Sequence, residues 1–178
     1  MKSAMVELFW NHTELIVFAH VLSAVVWVGG MIAMRYAAHF SFQALGSPEL
    51  ILKHTHKALK NLFIIVAPFI LILILTAVLM AVGWGYRDAA VDANHNIIDE
   101  TAYAMYNLVH LKEGIWMVMA VNYLGMVFLL SKAGKLIVAQ NYAEAKSKMG
   151  LIGKYMVPLN ISLGILAIFL GVTLRYAH

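Results

Sequence analysis

Eight histidines, at positions 12, 20, 39, 54, 56, 95, 110 and 178, carry most of the chemical potential of this cysteine-free chain. Only His20 and His110 lie within long apolar stretches. An ionisable ring inside a membrane is costly unless it is paired or ligated, so both mark functional-site candidates. Two imidazoles on different helices at similar depth are what a bundle-held b-type haem requires. The iron takes an axial nitrogen from each side, and an apolar slot buries the macrocycle. Trp27, two turns beyond His20, and Trp116 suit either the wall of that slot or plain packing. Gly30 and Gly114 let a flat ligand or a neighbouring helix approach closely. Gly114 follows His110 by four residues and shares its face.

Other groups offer different chemistry. His20 has a simpler alternative, a hydrogen bond to Ser23 or to a carbonyl on another helix, and His110 can be an interfacial residue without a ligand. Eleven methionines suggest copper(I), for which thioether is a soft ligand, although Met31, Met34, Met117 and Met119 also suit core gap-filling. His54-Thr55-His56 is a poor bidentate pair, because positions i and i+2 point to different faces of a helix. Asp92, Asn94, His95 and Asp99 read as a solvated loop or an external cation site. Lys112-Glu113 can neutralise each other, flank a haem propionate or carry protons. Arg35 completes the cofactor-binding set of Trp27, Gly30 and Gly114, or snorkels to lipid phosphate from the inner end of the first helix.

The elements that position these residues follow from composition. The chain has 178 residues, 62% hydrophobic and 12% charged, against about 45–50% and 25% for a soluble domain; it is an integral membrane protein. The lack of cysteine excludes disulfides, thiolate metal sites and covalent c-type haem attachment. Apolar runs at Leu15–Met34, Leu62–Val82, Tyr103–Leu130 and Met156–Leu174 are each long enough to cross a bilayer as a helix. They predict an all-α transmembrane four-helix bundle, a single membrane domain over 1–178. Its helices span 14–45, 48–82, 102–138 and 151–176, with a short cytoplasmic helix over 141–149.

Residues 1–13 suit an interfacial helix with an aromatic anchor. The start Met1-Lys2-Ser3 lacks a cleavable-signal pattern, so the first span is read as retained. Gly46-Ser47-Pro48-Glu49 reads as a helix stop followed by a capped start. Pro68 is expected to kink the second helix. Asn141 caps the short helix, Gly150 closes it, and Gly153 and Pro158 mark the start of the fourth.

Arg35, Lys53, Lys57 and Lys60 follow the first helix, and Lys132, Lys135, Lys146, Lys148 and Lys154 follow the third. The second connection carries Asp88, Asp92, Asp99 and Glu100. The positive-inside rule then places both basic connections in the cytoplasm and both termini on the outer, periplasmic side, as in a bacterial inner membrane. His20 and His110 fall in the outward half. Counted back from Lys132, a span of about twenty residues leaves His110 at the interface; counted forward from Tyr103, it lies inside. The two placements differ by roughly 13 Å, and the deeper one is expected.

His20 followed by Trp27 and Gly30 resembles the first-helix signature of the membrane family that includes HemJ-type protoporphyrinogen oxidases and CopD-type copper-resistance proteins. His110-Leu111-Lys112 is similar to the histidine-x-lysine element of HemJ proteins, followed by Tyr123. Pro68 and Pro158-Leu159-Asn160 resemble the pattern loosely. The resemblance implies a four-helix haem b protein with His20 as ligand, His110 and Lys112 as active-site residues, and Lys112 as the catalytic one. Two departures stand out: a Leu-Pro-Arg element is replaced by Met34-Arg35, and a late tyrosine-histidine by Tyr123-Leu124. Haem binding therefore transfers more readily than the oxidase reaction.

The expectation is a membrane cytochrome b moving electrons, with haem iron between His20 and His110. It sits in the lipid bilayer as a homo-oligomer or beside a redox partner subunit, with no nucleic acid involved. The alternatives are a HemJ-like oxidase, a CopD-like copper carrier and a structural subunit of a membrane complex.

Overall fold

The computed structural model describes residues 2–176; His178 lies outside them. The protein is all-α, with four helices long and apolar enough to cross a membrane: Thr13–Gln43, the helix beginning at Pro48, Glu100–Val138 and Tyr142–Arg175. Short connections make sequential neighbours antiparallel. The first helix packs on the second, the second on the third, the third on the fourth, and the fourth returns to the first. The first and third are therefore diagonal, and Thr13–Ala24 of the first barely touches the third directly.

The ends are set by local chemistry. Gly46, at φ 70°, turns the chain out of the first helix. Ser47 accepts the Leu50 N–H at 3.5 Å with Pro48 in the first turn, and Gly85 in the left-handed region ends the second helix at Trp84. Asp99 caps the third by accepting Ala102 N–H at 2.9 Å, so that helix starts at Glu100 rather than 102. The second helix runs through Pro68, which removes the donor for the Ile64 carbonyl. At that turn the Tyr123 hydroxyl donates to Phe63 O at 2.8 Å, tying the third helix to the second.

The short helix expected over 141–149 is not separate. Asn141 caps it as expected, accepting Glu144 N–H at 3.3 Å, but the chain continues through Gly150 and a wide π turn, Ile152–Met156, into Val157–Tyr176. Ala145, Met149 and Ile152 are buried in the common core, which holds the segment in line. Pro158 cannot donate to the preceding turn, and Asn122 Nδ2 donates to the Met156 carbonyl at 2.8 Å. Asn122 also donates to Asn160 Oδ1 at 2.7 Å, and Asn160, fully buried, donates to Met119 O at 3.2 Å. This amide clamp joins the third and fourth helices where apolar contacts with lipid offer no preference.

The core is a stack of Trp27, Met31, Phe63, Val66, Met119, Tyr123 and Met126. Phe18, Leu71, Leu75, Leu124, Phe128 and Phe169 point outward, the apolar exterior that a bilayer requires. The N-terminal helix Lys2–Asn11 is anchored by Phe9, which is fully buried, rather than by the exposed Trp10. Phe9 lies edge-on to Trp84 and fills the space beside Gly83, where a Cβ would sit 2.1 Å from its ring. The second connection contains a short helix, Tyr86–Ala90, and a bridge between Val91 and Ile97.

Candidate functional site

At the level of His20, all four spanning helices contribute to one polar layer. His20 Nδ1 lies 2.9 Å from Thr76 Oγ1 on the second helix. The single Thr76 hydroxyl proton is directed at its own helix, 2.7 Å from Ile72 O and 3.0 Å from Leu73 O. Thr76 therefore accepts, the imidazole carries its proton on Nδ1, and Nε2 holds the lone pair. A metal-ligating histidine characteristically donates its other ring N–H to such a partner, which fixes tautomer and ring orientation. Ser23 is not a partner of the ring, since its hydroxyl donates to Ala19 O at 2.7 Å; the Leu73 carbonyl on the second helix is a second acceptor for the His20 ring N–H.

The third helix supplies Lys112. Its Nζ lies 3.1 Å from where a Cβ on Gly171 would stand, so the ammonium rests against bare backbone of the fourth helix. It also lies within electrostatic reach of His20. Among the described residues Lys112 has no hydrogen-bond or ion-pair partner. Trp116, one turn inward on the same face, has a buried Nε1 that also lacks an acceptor, as does Trp27 Nε1. Lys112 and the Trp116 N–H are donors that the carboxylate arms of a haem would accept, and the His20 Nε2 lone pair is one that an iron would take.

The structure does not bring His110 to this layer. The Lys112 side chain reaches the layer of His20. However, two residues of α-helix turn the chain by about 200°, so Lys112 faces inward while His110 faces outward. The His110 side chain is 51% exposed; Nδ1 pairs with Glu113 Oε2 at 2.8 Å and the ring meets Tyr106 edge-on. There is no ring contact between His20 and His110 among the described residues. Glu113 is accordingly the partner of His110, and Lys112-Glu113 is not an ion pair.

The remaining candidates separate in the same way. Trp27 is core, edge-on to Tyr123 at 6.2 Å. Gly30 serves helix packing, because a Cβ there would meet Leu62 at 2.8 Å. Gly114 faces open space beside His110. Arg35 is fifteen residues from His20, roughly 22 Å along the helix, and cannot share its layer. Met31, Met34 and Met119 are buried in the core, whereas Met117 faces outward.

In the second connection, Asp92 Oδ1 accepts the N–H groups of Asn94 and Asn96, both at 2.8 Å, and Oδ2 accepts Asn96 Nδ2 at 3.0 Å. The Asn96 side chain, then its backbone N–H, hold the Asp92 carboxyl below the usual carboxylate range. The aspartate organises its own turn, and no group of three or more potential metal ligands occurs among the described residues.

Thr76 and Gly171 are the site residues that motif reading missed. The only available signal was a hydroxyl and a glycine within otherwise apolar spans. No family model, curated protein or solved structure matches the chain.

Proposed function

We propose that this protein is a membrane-embedded b-type haem protein with a redox role, held through His20 in the outer half of the bundle. The observation that carries this reading is the Nδ1–H bond from His20 to Thr76, which leaves Nε2 as the ligating atom inside an apolar bundle. Thr76 orients the ring, and Lys112 with Trp116 offers donors to propionate carboxylates. His110 is left out of the first coordination sphere of this chain. Bound haem would supply one-electron iron chemistry; the protein supplies the ligand, the tautomer and a water-poor surrounding. On the same reading both termini face the periplasm, the membrane is a bacterial inner membrane, and a redox partner or a second copy covers the outer end.

A second reading rests on the unpaired Lys112. An ammonium without an acid partner beside an imidazole suits a tetrapyrrole carboxylate, as in a HemJ-like protoporphyrinogen oxidase, in line with the resemblance of the first and third helices.

Purification with a pyridine haemochromogen assay and metal analysis tests the first reading. Haem b at about one per chain is expected; a colourless preparation that does not take up added haem overturns it, and stoichiometric copper without haem favours a copper carrier. Rescue of a strain lacking protoporphyrinogen oxidation, lost with Lys112→Met, supports the second reading, and failure of rescue removes it.

A further inference from the structure

At the opposite, basic end a groove of about 740 Å³ opens between the second and third spanning helices. Its walls are apolar, with Phe63 and Ile64 on one side and Val127 and Leu130 on the other, and its mouth carries Lys60, Lys135 and Ser131. The floor is pinned where His56 Nε2 meets Leu130 O at 3.1 Å. Gly134 makes that possible, since a Cβ there would stand 2.8 Å from His56 Nε2. Ile64 and Val127 are exposed, so the groove faces the surface that meets lipid.

The charges at this end are unevenly satisfied. Lys53 pairs with Glu49, which also accepts from Tyr142 at 2.7 Å, and Lys148 lies 3.9 Å from Glu144. Lys132 and Lys154 lie over the Phe128 and Tyr155 rings. Lys60 and Lys135 are exposed and have no ion-pair or aromatic partner among the described residues. Two free ammonium groups and a hydroxyl therefore line the same apolar groove. That combination matches an anionic head joined to a hydrocarbon tail; a free phosphate would leave the apolar walls unused, and a zwitterionic lipid would bring its own cation to the lysines.

We propose that this groove binds one acidic glycerophospholipid. Its phosphate sits between Lys60 and Lys135 with Ser131 as a further donor, and one acyl chain lies along Phe63, Ile64 and Val127. Basic pockets between membrane helices recognise anionic head groups in this manner. The assignment is independent of the haem reading.

Native mass spectrometry of the delipidated full chain, titrated with dioleoyl phosphatidylglycerol or dioleoyl phosphatidylcholine, tests it. One phosphatidylglycerol with at least about tenfold preference is expected. Lys60→Gln with Lys135→Gln should weaken it about 30-fold. Lys57→Gln with Lys146→Gln removes the same charge from exposed lysines outside the groove and should leave binding unchanged. Equal loss in both pairs means diffuse surface attraction and overturns the proposal, as does equal retention of the two lipids. Full competition by millimolar inorganic phosphate overturns the lipid assignment in favour of a phosphate site. Ala67→Leu narrows the groove without changing charge; it should lose the lipid, and retained binding overturns the location.

Discussion

Replacing Thr76 with valine isolates the bond on which the site rests. Valine keeps the shape and removes the oxygen that accepts His20 Nδ1–H at 2.9 Å. Thr76 also bonds back to its own helix at Ile72, a contact that contributes little and can even weaken a helix, so its loss is minor. The ring N–H then keeps only the Leu73 carbonyl, and the loss of one hydrogen bond costs about 0.5–1.5 kcal/mol. Loss of the outer partner of a ligating histidine lowers affinity about 10–100-fold, equivalent to about 1.4–2.8 kcal/mol. Titration of haem into the detergent-solubilised protein, followed by Soret absorbance, should show that loss for Thr76→Val and near-complete recovery for Thr76→Ser. A thermal scan separates weakened binding from unfolding. Haem affinity of Thr76→Val within about twofold of the parent would refute the orienting role of Thr76.

Other consequences follow from the packing and the connections. Gly83→Val drives a side chain into Phe9, whose ring lies 2.1 Å from the Cβ position. An overpacking cost of about 1–3 kcal/mol is expected, with release of the N-terminal helix seen as faster proteolysis near Trp10. Asn160→Ala removes two interhelical hydrogen bonds worth about 0.6–1.7 kcal/mol each, which should lower resistance to unfolding in mixed detergent, whereas exposed Asn61→Ala should not. The carboxyl of Asp92 is depressed on folding, so its contribution is present above the unfolded value of about 3.9 and is lost as pH falls through the lower folded value. Protection of the Asn94 and Asn96 amides, taken relative to their intrinsic exchange rates, should be high above about pH 4 and fall below it; protection unchanged by Asp92→Ala would contradict this.

Much of the architecture was legible because the signals were local. Apolar runs gave four spans, and Ser47-Pro48 and Asn141 cap the helices where their side chains can reach orphan N–H groups. What escaped was rotation about the helix axis. A soluble helix reveals its inner face by polarity, but a spanning helix is apolar on both its lipid and core faces, so the phase of the third helix was not written in its hydropathy. Hence the sequence offers His110 as the partner of His20, whereas His110 faces outward and Lys112, two residues on, faces inward. Thr76 escaped for a related reason: a threonine in a spanning helix normally bonds its own backbone, and nothing local marks a second partner. The merged fourth helix shows the converse, where glycines that usually end a helix are overridden by burial of Ala145, Met149 and Ile152.

The most direct measurement is the reduced-minus-oxidised absorption spectrum of purified His20→Ala and His110→Ala proteins beside the parent, each with and without added imidazole. The expected result is loss of the haem spectrum in His20→Ala, partial recovery with imidazole, and an unchanged spectrum in His110→Ala. A spectrum retained in His20→Ala, or lost in a folded His110→Ala, would contradict the assignment of His20 as the ligand that holds the site.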